Sequence, residues 1–243
     1  MSSGITALIV SVMCGVVSVG SAQADESAFE VSANVALVSD YVFRGISQSD
    51  ESATVQGGFD LVHQSGLYAG VWGSGVDFND GDEASAEVDL YAGYSAETAQ
   101  GISYDIGGLY YAYPGADTPR DYDFWEIYGS IGYDFGMASA RAGLNYSPDY
   151  FNESGDAVYT HLDVDVPLPQ NFTLSGGLGY QTIDNNTAFG TPDYTDWKLS
   201  LGYGFKNLDL SVTYHDTDLD EPGECADGCD ARIVFAISSA FSI

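Results

Sequence analysis

Apolar and polar side chains alternate along most of this chain. In the stretch EVDLYAGY, Val88 and Leu90 fall on one side of the alternation, while Glu87 and Asp89 fall on the other. A period of two places successive side chains on opposite faces of a β-strand. The same period recurs through most of the chain beyond Val31, and helical periodicity is nearly absent. The pattern predicts an all-β protein whose strands have one apolar and one polar face.

The alternating segments number about twelve and span roughly 9 to 13 residues each, which is the length that crosses a bilayer at a tilt of about 45°. Short connections, such as residues 64–66 and 206–207, alternate with long polar ones, such as residues 148–156 and 217–230. This rhythm is typical of barrels with tight turns at one end and extended loops at the other. We predict a transmembrane antiparallel up-and-down β-barrel, closed so that every backbone group in the membrane is paired.

A soluble alternative shows the same alternation with its apolar face turned inward. It is a secreted β-sandwich or a lipocalin-like barrel. The charge and glycine content of the polar face favours a water-filled lumen instead.

The N-terminus has the features of an export signal. An apolar run covers residues 5–19, and Ala22-Gln23-Ala24 has the A-x-A form of a signal-peptidase site. We predict a signal peptide over residues 1–24 and a single barrel domain over residues 25–243. Sec-dependent export and a Gram-negative outer membrane are the expected route and location.

Composition narrows the choice of partners. Six Lys and Arg residues stand against 36 Asp and Glu residues, which gives a net charge of -30. Such a chain repels phosphate, so nucleic acid is excluded as a partner. Disorder is excluded as well, because aromatic residues make up 14% of the sequence and are spread along its length.

Two cysteines remain after signal cleavage, and both lie in the acidic segment ECADGCDAR. Export to an oxidising compartment predicts a disulfide between Cys225 and Cys229. A zinc site is the weaker interpretation, because two thiolates alone leave zinc short of ligands. We assign no metal site, and the sequence gives no indication of a cofactor.

If the apolar faces meet lipid, the polar faces line the interior, because a charge facing lipid at mid-membrane costs about 2 to 4 kcal/mol. In residues 39–50, SDYVFRGISQSD, this turns Tyr41 and Phe43 toward lipid or the outer interface. The predicted pore-lining side chains are Asp40, Arg44, Asp60, Glu87, Asp89, Asp105, Glu126, Arg141, His161, Asp163, Asp196, Lys198 and Arg232.

Carboxylates outnumber bases on this polar face. Rings of Asp and Glu in a narrow pore attract cations and repel anions. We therefore expect a porin-like channel for passive diffusion of small polar solutes or ions, with a preference for cations. In the alternative, Arg44, Arg141, Lys198 and Arg232 pair with carboxylates and plug the interior.

Two other classes of function remain open. A plugged structural or adhesive barrel would use its outer loops to bind divalent cations, and residues 216–230 are rich in the oxygen ligands that calcium prefers. An outer-membrane hydrolase would need one of His63, His161 or His215 beside a nucleophile. No GxSxG motif is present, so we do not expect an enzyme.

Several motifs resemble one known family. They are SDYVFRGISQS, QGGFD, HQSGLYAGVWGSGVDF, EVDLYAGY, YYAYPG and YSPDYF. Together they resemble the TorF-type porin family of Gram-negative bacteria over essentially the whole mature chain. The resemblance implies an outer-membrane barrel and a channel without a defined substrate. Independently of the resemblance, we expect membrane lipid and lipopolysaccharide as partners outside the barrel and small polar solutes or cations inside it. The sequence leaves open whether the barrel is a monomer or a trimer.

One feature departs from many outer-membrane barrels, which end on an aromatic residue that helps assembly. This chain ends Phe241-Ser242-Ile243.

Overall fold

The chain folds into a closed antiparallel β-barrel. The computed structural model describes residues 28–79, 81, 84–116 and 121–243. The strands are β1 Phe29–Val38, β2 Val42–Phe43, β3 Ile46–Ser47, β4 Thr54–His63, β5 Leu67–Gly75, β6 Ala86–Glu97, β7 Ile102–Ala112, β8 Phe124–Asp134, β9 Ser139–Ser147, β10 Ala157–Leu168, β11 Phe172–Ile183, β12 Tyr194–Phe205, β13 Leu208–Thr217 and β14 Arg232–Ser242. One short helix, α1, covers Asn186–Phe189.

Twelve of these strands, β1 and β4 to β14, close the barrel within the described residues. Each pairs antiparallel with its neighbours in sequence, and β1 closes the ring against β14 from Ser32↔Ser242 to Val38↔Ala236. The predicted fold is therefore confirmed. The predicted signal peptide and its cleavage site lie outside the described residues.

Large apolar side chains cover the outside of the barrel. Ile131 and Ile106, for example, are both 63% exposed, and Leu199 is 55% exposed. The outward tyrosines and tryptophans lie toward the strand ends, as the aromatic girdles of membrane barrels do. They include Tyr94, Tyr104, Tyr133 and Tyr203 at one end and Tyr110, Trp125, Tyr146, Tyr180, Trp197 and Tyr214 at the other.

The two ends of the barrel differ in their connections. Residues 64–66 and 206–207 are among the turns at the end that we call the short-turn end. The opposite, long-loop end carries longer connections such as residues 148–156 and 218–231. Separately, no helix in the described ranges is both long and apolar enough to cross a membrane.

The first long connection folds into the barrel rather than over it. Residues 39–52 contain a small hairpin, in which Val42 pairs with Ser47 and Phe43 with Ile46. Arg44 and Gly45 form its tip with φ of 46° and 84°, and positive φ at both central residues is typical of a type I′ turn. We call residues 39–52 the inward hairpin.

The inward hairpin corrects one prediction. Tyr41 and Phe43 do not face lipid: Tyr41 is 3% exposed and packs edge-on against Trp72 at 5.5 Å, and Phe43 packs against Tyr111. The alternation of β1 ends at Val38, where the chain leaves the wall. Beyond that point parity no longer reports which side chains meet the membrane.

The interior is divided into two parts. Toward the long-loop end, the hairpin, the loops and the adjoining ends of wall strands form an apolar cluster that includes Tyr41, Val42, Trp72, Tyr111, Tyr113, Tyr122, Phe124 and Tyr150. Phe78 and Phe151 extend this cluster, with Phe151 stacked on Tyr122 at 4.4 Å. Toward the short-turn end the wall carries polar and ionisable side chains that are partly open to solvent.

Candidate functional site

Arg44, at the tip of the inward hairpin, reaches the barrel wall. Its Nη2 donates to both carboxylate oxygens of Glu126 on β8, at 2.7 and 2.8 Å. Its Nη1 donates to Gln181 Oε1 on β11 at 2.8 Å. The guanidinium also lies 4.4 Å from the ring centre of Tyr159 and 4.7 Å from that of Phe43. A charge-assisted fork and two aromatic faces therefore fix this side chain.

The Arg44–Glu126 pair is sealed from solvent, with side-chain exposures of 5% and 1%. Burial alone lowers the pKa of the Arg44 guanidinium, but the Glu126 carboxylate raises it, and the net pKa lies above its usual value. Arg44 thus stays charged, and its position depends on Glu126.

A second ion pair holds the base of the hairpin. Arg232 Nη1 on β14 lies 3.1 Å from Asp40 Oδ2 and 3.2 Å from Glu51 Oε1. The Asp40 carboxylate also accepts hydrogen bonds from Ser47 Oγ at 2.6 Å and Ser49 Oγ at 3.0 Å. The hairpin is therefore tied to wall strands on different sides of the barrel.

Beneath the hairpin the wall carries two further buried carboxylates. Tyr41 donates its hydroxyl to Glu87 Oε1 at 2.7 Å, and burial together with Glu87 raises the pKa of that hydroxyl. Asp89 is 0% exposed, and neither of its carboxylate oxygens has a hydrogen-bond partner in the described chain. The carboxyl groups of Glu87 and Asp89 thus lie buried on the wall near the hairpin, in addition to that of Glu126, which pairs with Arg44.

The last long connection covers the hairpin from the long-loop end. A disulfide joins Cys225 to Cys229, and the Gly228 carbonyl accepts from the Ser47 amide at 2.8 Å. Thr217 Oγ1 donates to the Cys229 carbonyl at 2.9 Å. This connection is thus packed on the hairpin instead of standing free in solvent.

Tyrosines and carboxylates line the wall below the hairpin on β4 to β8. The Tyr68 hydroxyl contacts Asp105 Oδ1 at 2.6 Å and the Tyr128 hydroxyl at 2.5 Å. Tyr91 donates to Asp60. Each phenol hydrogen-bonds along the wall, so its ring lies against the strands.

The opposite wall carries basic side chains. Asp163 lies between two of them, 2.8 Å from His161 Nδ1 and 3.0 Å from Lys198 Nζ. Side-chain exposures of 23% for His161, 30% for Asp163 and 45% for Lys198 show that solvent reaches this level. Carbon Cε1 of the His161 ring would lie 2.8 Å from a Cβ on Gly143, so its other edge faces the backbone of β9.

The predicted pore-lining residues fall into three groups. Arg44, Glu87, Asp89 and Glu126 lie around the hairpin tip, and Asp40 and Arg232 lie at its base. The remaining ones occupy the wall below the hairpin or at its level: Asp60, Asp105, Arg141, His161, Asp163, Asp196 and Lys198.

Sequence reasoning missed the tyrosines that share this wall, and also Gln181, which contacts Arg44. The available signal was the alternation itself, which places these side chains on the inward face of their strands. Tyr68, for example, alternates with the exposed Leu67 on β5.

Among the residues that the structure describes, no group of three or more His, Cys, Asp or Glu side chains is arranged to hold a metal ion. In the acidic last loop, Asp218 accepts from the Thr195 amide at 2.7 Å and Asp216 from the Tyr214 hydroxyl at 2.6 Å. Those carboxylates help to hold the loop in place.

A family model described as "Bacterial protein of unknown function (Gcw_chp)" matches residues 22–241. The chain belongs to this family. No curated protein matches the chain in sequence. The likeness to the TorF-type porin family stays a prediction, since the Gcw_chp description does not include that name.

Solved outer-membrane barrels share the fold of this Gcw_chp protein. A KdgM porin in complex with disordered oligogalacturonate aligns with a TM-score of 0.57 and 8% identity over 88% of this chain and 99% of that chain. A NanC porin aligns with a TM-score of 0.57 and 11% identity over 88% and 100%. The COG4313 outer membrane channel from Pseudomonas putida F1 aligns with a TM-score of 0.51 and 11% identity over 90% and 97%. At such low identities the likeness establishes the fold.

Proposed function

We propose that this protein is an outer-membrane channel for passive diffusion of small polar solutes or ions, with a preference for cations. The observation that carries the proposal is the solvent-exposed group of His161, Asp163 and Lys198 inside the barrel. An apolar interior would suffice for a barrel that served only as an anchor, whereas ionisable side chains open to solvent suit a water-filled passage.

Charge supports the cation preference. The wall formed by β4 to β8 contributes carboxylates such as Asp60, Asp105 and Glu126, whereas Arg141, Lys198 and Arg232 come from β9 to β14. Carboxylates remain in excess over the whole interior, and such an excess in a low-dielectric pore favours cations. The KdgM porin was solved with oligogalacturonate, a chain of carboxylate-bearing sugars, and the acidic interior here would repel that class of solute.

The inward hairpin sets the narrowest point in this proposal. It fills the long-loop half, while the short-turn half stays accessible to solvent. Conduction therefore requires the hairpin to shift or solutes to pass around it, so we expect a small conductance that rises when the hairpin is shortened.

Planar-bilayer recording in a KCl gradient tests the proposal. We expect the reversal potential to shift from zero toward the equilibrium potential of K⁺. We also expect a larger conductance when residues 42–47 are replaced by a short Gly-Ser turn. A shift toward the equilibrium potential of Cl⁻ would overturn the cation preference. If neither the wild type nor the shortened variant conducts at any applied voltage, the proposed channel function is wrong.

A further inference from the structure

The surroundings of Arg44 form a binding site for a planar cation. Glu126 presents two oxygens to one guanidinium nitrogen, Gln181 presents its carbonyl oxygen to another, and the ring of Tyr159 covers one face. All three belong to wall strands, whereas Arg44 arrives on the hairpin. We call the side chains of Glu126, Gln181 and Tyr159 the receptor, and Arg44 its occupant. The receptor and its occupant are thus on separate parts of the fold.

The carboxylate half of this receptor is held by the wall alone. Asn145 Nδ2 on β9 donates to Glu126 Oε2 at 2.9 Å, and the Tyr111 hydroxyl on β7 lies 3.3 Å from the same oxygen. These contacts do not involve the hairpin. Glu126 therefore keeps its orientation when Arg44 is removed.

The other two receptor groups are held in the same way. Gln181 Nε2 donates to the Thr182 carbonyl at 3.1 Å, which aims its carbonyl oxygen at Arg44. Tyr159 donates to Asp196 Oδ2 at 3.0 Å, and its ring lies where a Cβ on Gly179 would be 2.5 Å from Cζ. The receptor is preorganised, which lowers the entropic cost of binding a free ligand.

Without Arg44, the buried carboxylate of Glu126 would have no counter-charge. The Glu126 side chain is 1% exposed, and its ion-pair partner is Arg44. A buried carboxylate without a counter-charge is strongly unfavourable. If Arg44 leaves, a cationic guest is the simplest replacement.

The backbone at the hairpin tip is strained, and the contacts between Arg44 and the receptor offset that strain. Arg44 has φ 46°, a left-handed conformation that side chains other than Gly, Asn and Asp seldom adopt. Gly45 approaches the wall so closely that a Cβ there would lie 2.8 Å from Asp196 Cβ. The strained turn projects a guanidinium from the tip directly into the receptor.

We propose that this receptor recognises small solutes bearing a guanidinium group, and that Arg44 is its tethered occupant. A free guanidinium solute competes with Arg44 for Glu126, Gln181 and Tyr159, and its binding releases the tip of the hairpin from the wall. The proposal rests on the proposed channel function, which it deepens by naming a class of solute.

Chemical rescue tests the site without requiring conduction. Arg44→Ala empties the receptor, so we expect it to melt at a lower temperature than the wild type. Methylguanidinium chloride, at ten times its dissociation constant, should raise the melting temperature of this variant by about 3 to 6 °C. Tetramethylammonium chloride at the same concentration, which has no N–H donors, should not.

Two matched variants control for general salt effects. Arg44→Ala combined with Glu126→Gln lacks the carboxylate fork and should show no selective rise. Arg232→Ala removes the other hairpin ion pair and should show none either. Equal effects of the two salts on Arg44→Ala, or an equal selective rise in either control, would overturn the proposal.

Wild-type recordings keep the proposal testable if Arg44→Ala does not fold. At equal ionic strength, methylguanidinium should raise the mean open-state occupancy at least about twofold over tetramethylammonium, and equal occupancy would overturn the proposal. Rescue of Arg44→Ala in a barrel that never conducts would support the site while refuting the channel function. The two failures are therefore distinguishable.

Discussion

Gly107 on β7 lies directly beneath the ring of Tyr128 on β8: a Cβ atom on this glycine would be 2.5 Å from Cζ of the tyrosine. The two residues are register partners. Gly70 lies beneath Tyr91 in the same way, between β5 and β6. Inward glycines thus let tyrosine rings lie along the wall.

Gly107→Ala should destabilise the barrel by about 1 to 3 kcal/mol, because the new methyl group must displace the Tyr128 ring. The neighbouring Gly108 is a matched control. It lies on the outer face of the same strand, and a Cβ there would meet only Glu126 O at 3.7 Å. The temperature at which the folded, heat-modifiable band disappears on a gel measures the difference. Equal temperatures for the two variants would show that ring and glycine are not in contact.

Glu126→Ala should destabilise the protein by about 3 to 5 kcal/mol, because it leaves Arg44 charged and buried without a partner. Lys198→Ala breaks an ion pair too, but Lys198 is 45% exposed and its partner Asp163 is 30% exposed. A solvent-exposed pair contributes about 0 to 1 kcal/mol. Urea unfolding of both variants gives the comparison, and similar losses would mean that Arg44 is not buried against Glu126.

The sequence was sufficient to predict the barrel, because each wall strand alternates between lipid and interior and each connection carries its own turn signals. β12 is an example: Leu199 and Leu201 are exposed on the outside, whereas Lys198 and Ser200, which alternate with them, face inward. Closure and strand count followed from that local pattern. Neither required knowledge of contacts between distant residues.

The inward hairpin was not predictable by the same reasoning. Tyr41 and Phe43 continue the parity of β1 in sequence, although the chain has already left the wall. Their burial depends on partners far along the chain, such as Glu87 for Tyr41. For the same reason, parity put Arg44 on the polar face but did not pair it with its wall partners Glu126 and Gln181.

Replacing both Cys225 and Cys229 by serine should loosen the inward hairpin. A disulfide that closes so short a loop contributes about 2 kcal/mol in the chain-entropy treatment. The Gly228 carbonyl accepts the Ser47 amide at 2.8 Å, so the Ser47 amide should exchange its hydrogen faster in the double variant. Hydrogen-exchange mass spectrometry measures this, with the Leu199 amide within β12 as an internal reference. Unchanged exchange at Ser47 would mean that the loop holds the hairpin without the disulfide.

Arginine substitutions on β12 test which half of each strand meets lipid. Leu199 is 55% exposed on the outer face, so Leu199→Arg should cost about 2 to 4 kcal/mol near the middle of the membrane. Ser200 faces inward, where its hydroxyl accepts from Thr213 Oγ1 at 2.8 Å. Ser200→Arg should therefore cost far less, because the new charge meets the water-accessible interior. Unfolding from lipid vesicles in urea gives both values, and a larger loss for Ser200→Arg would require the two faces of the barrel to be exchanged.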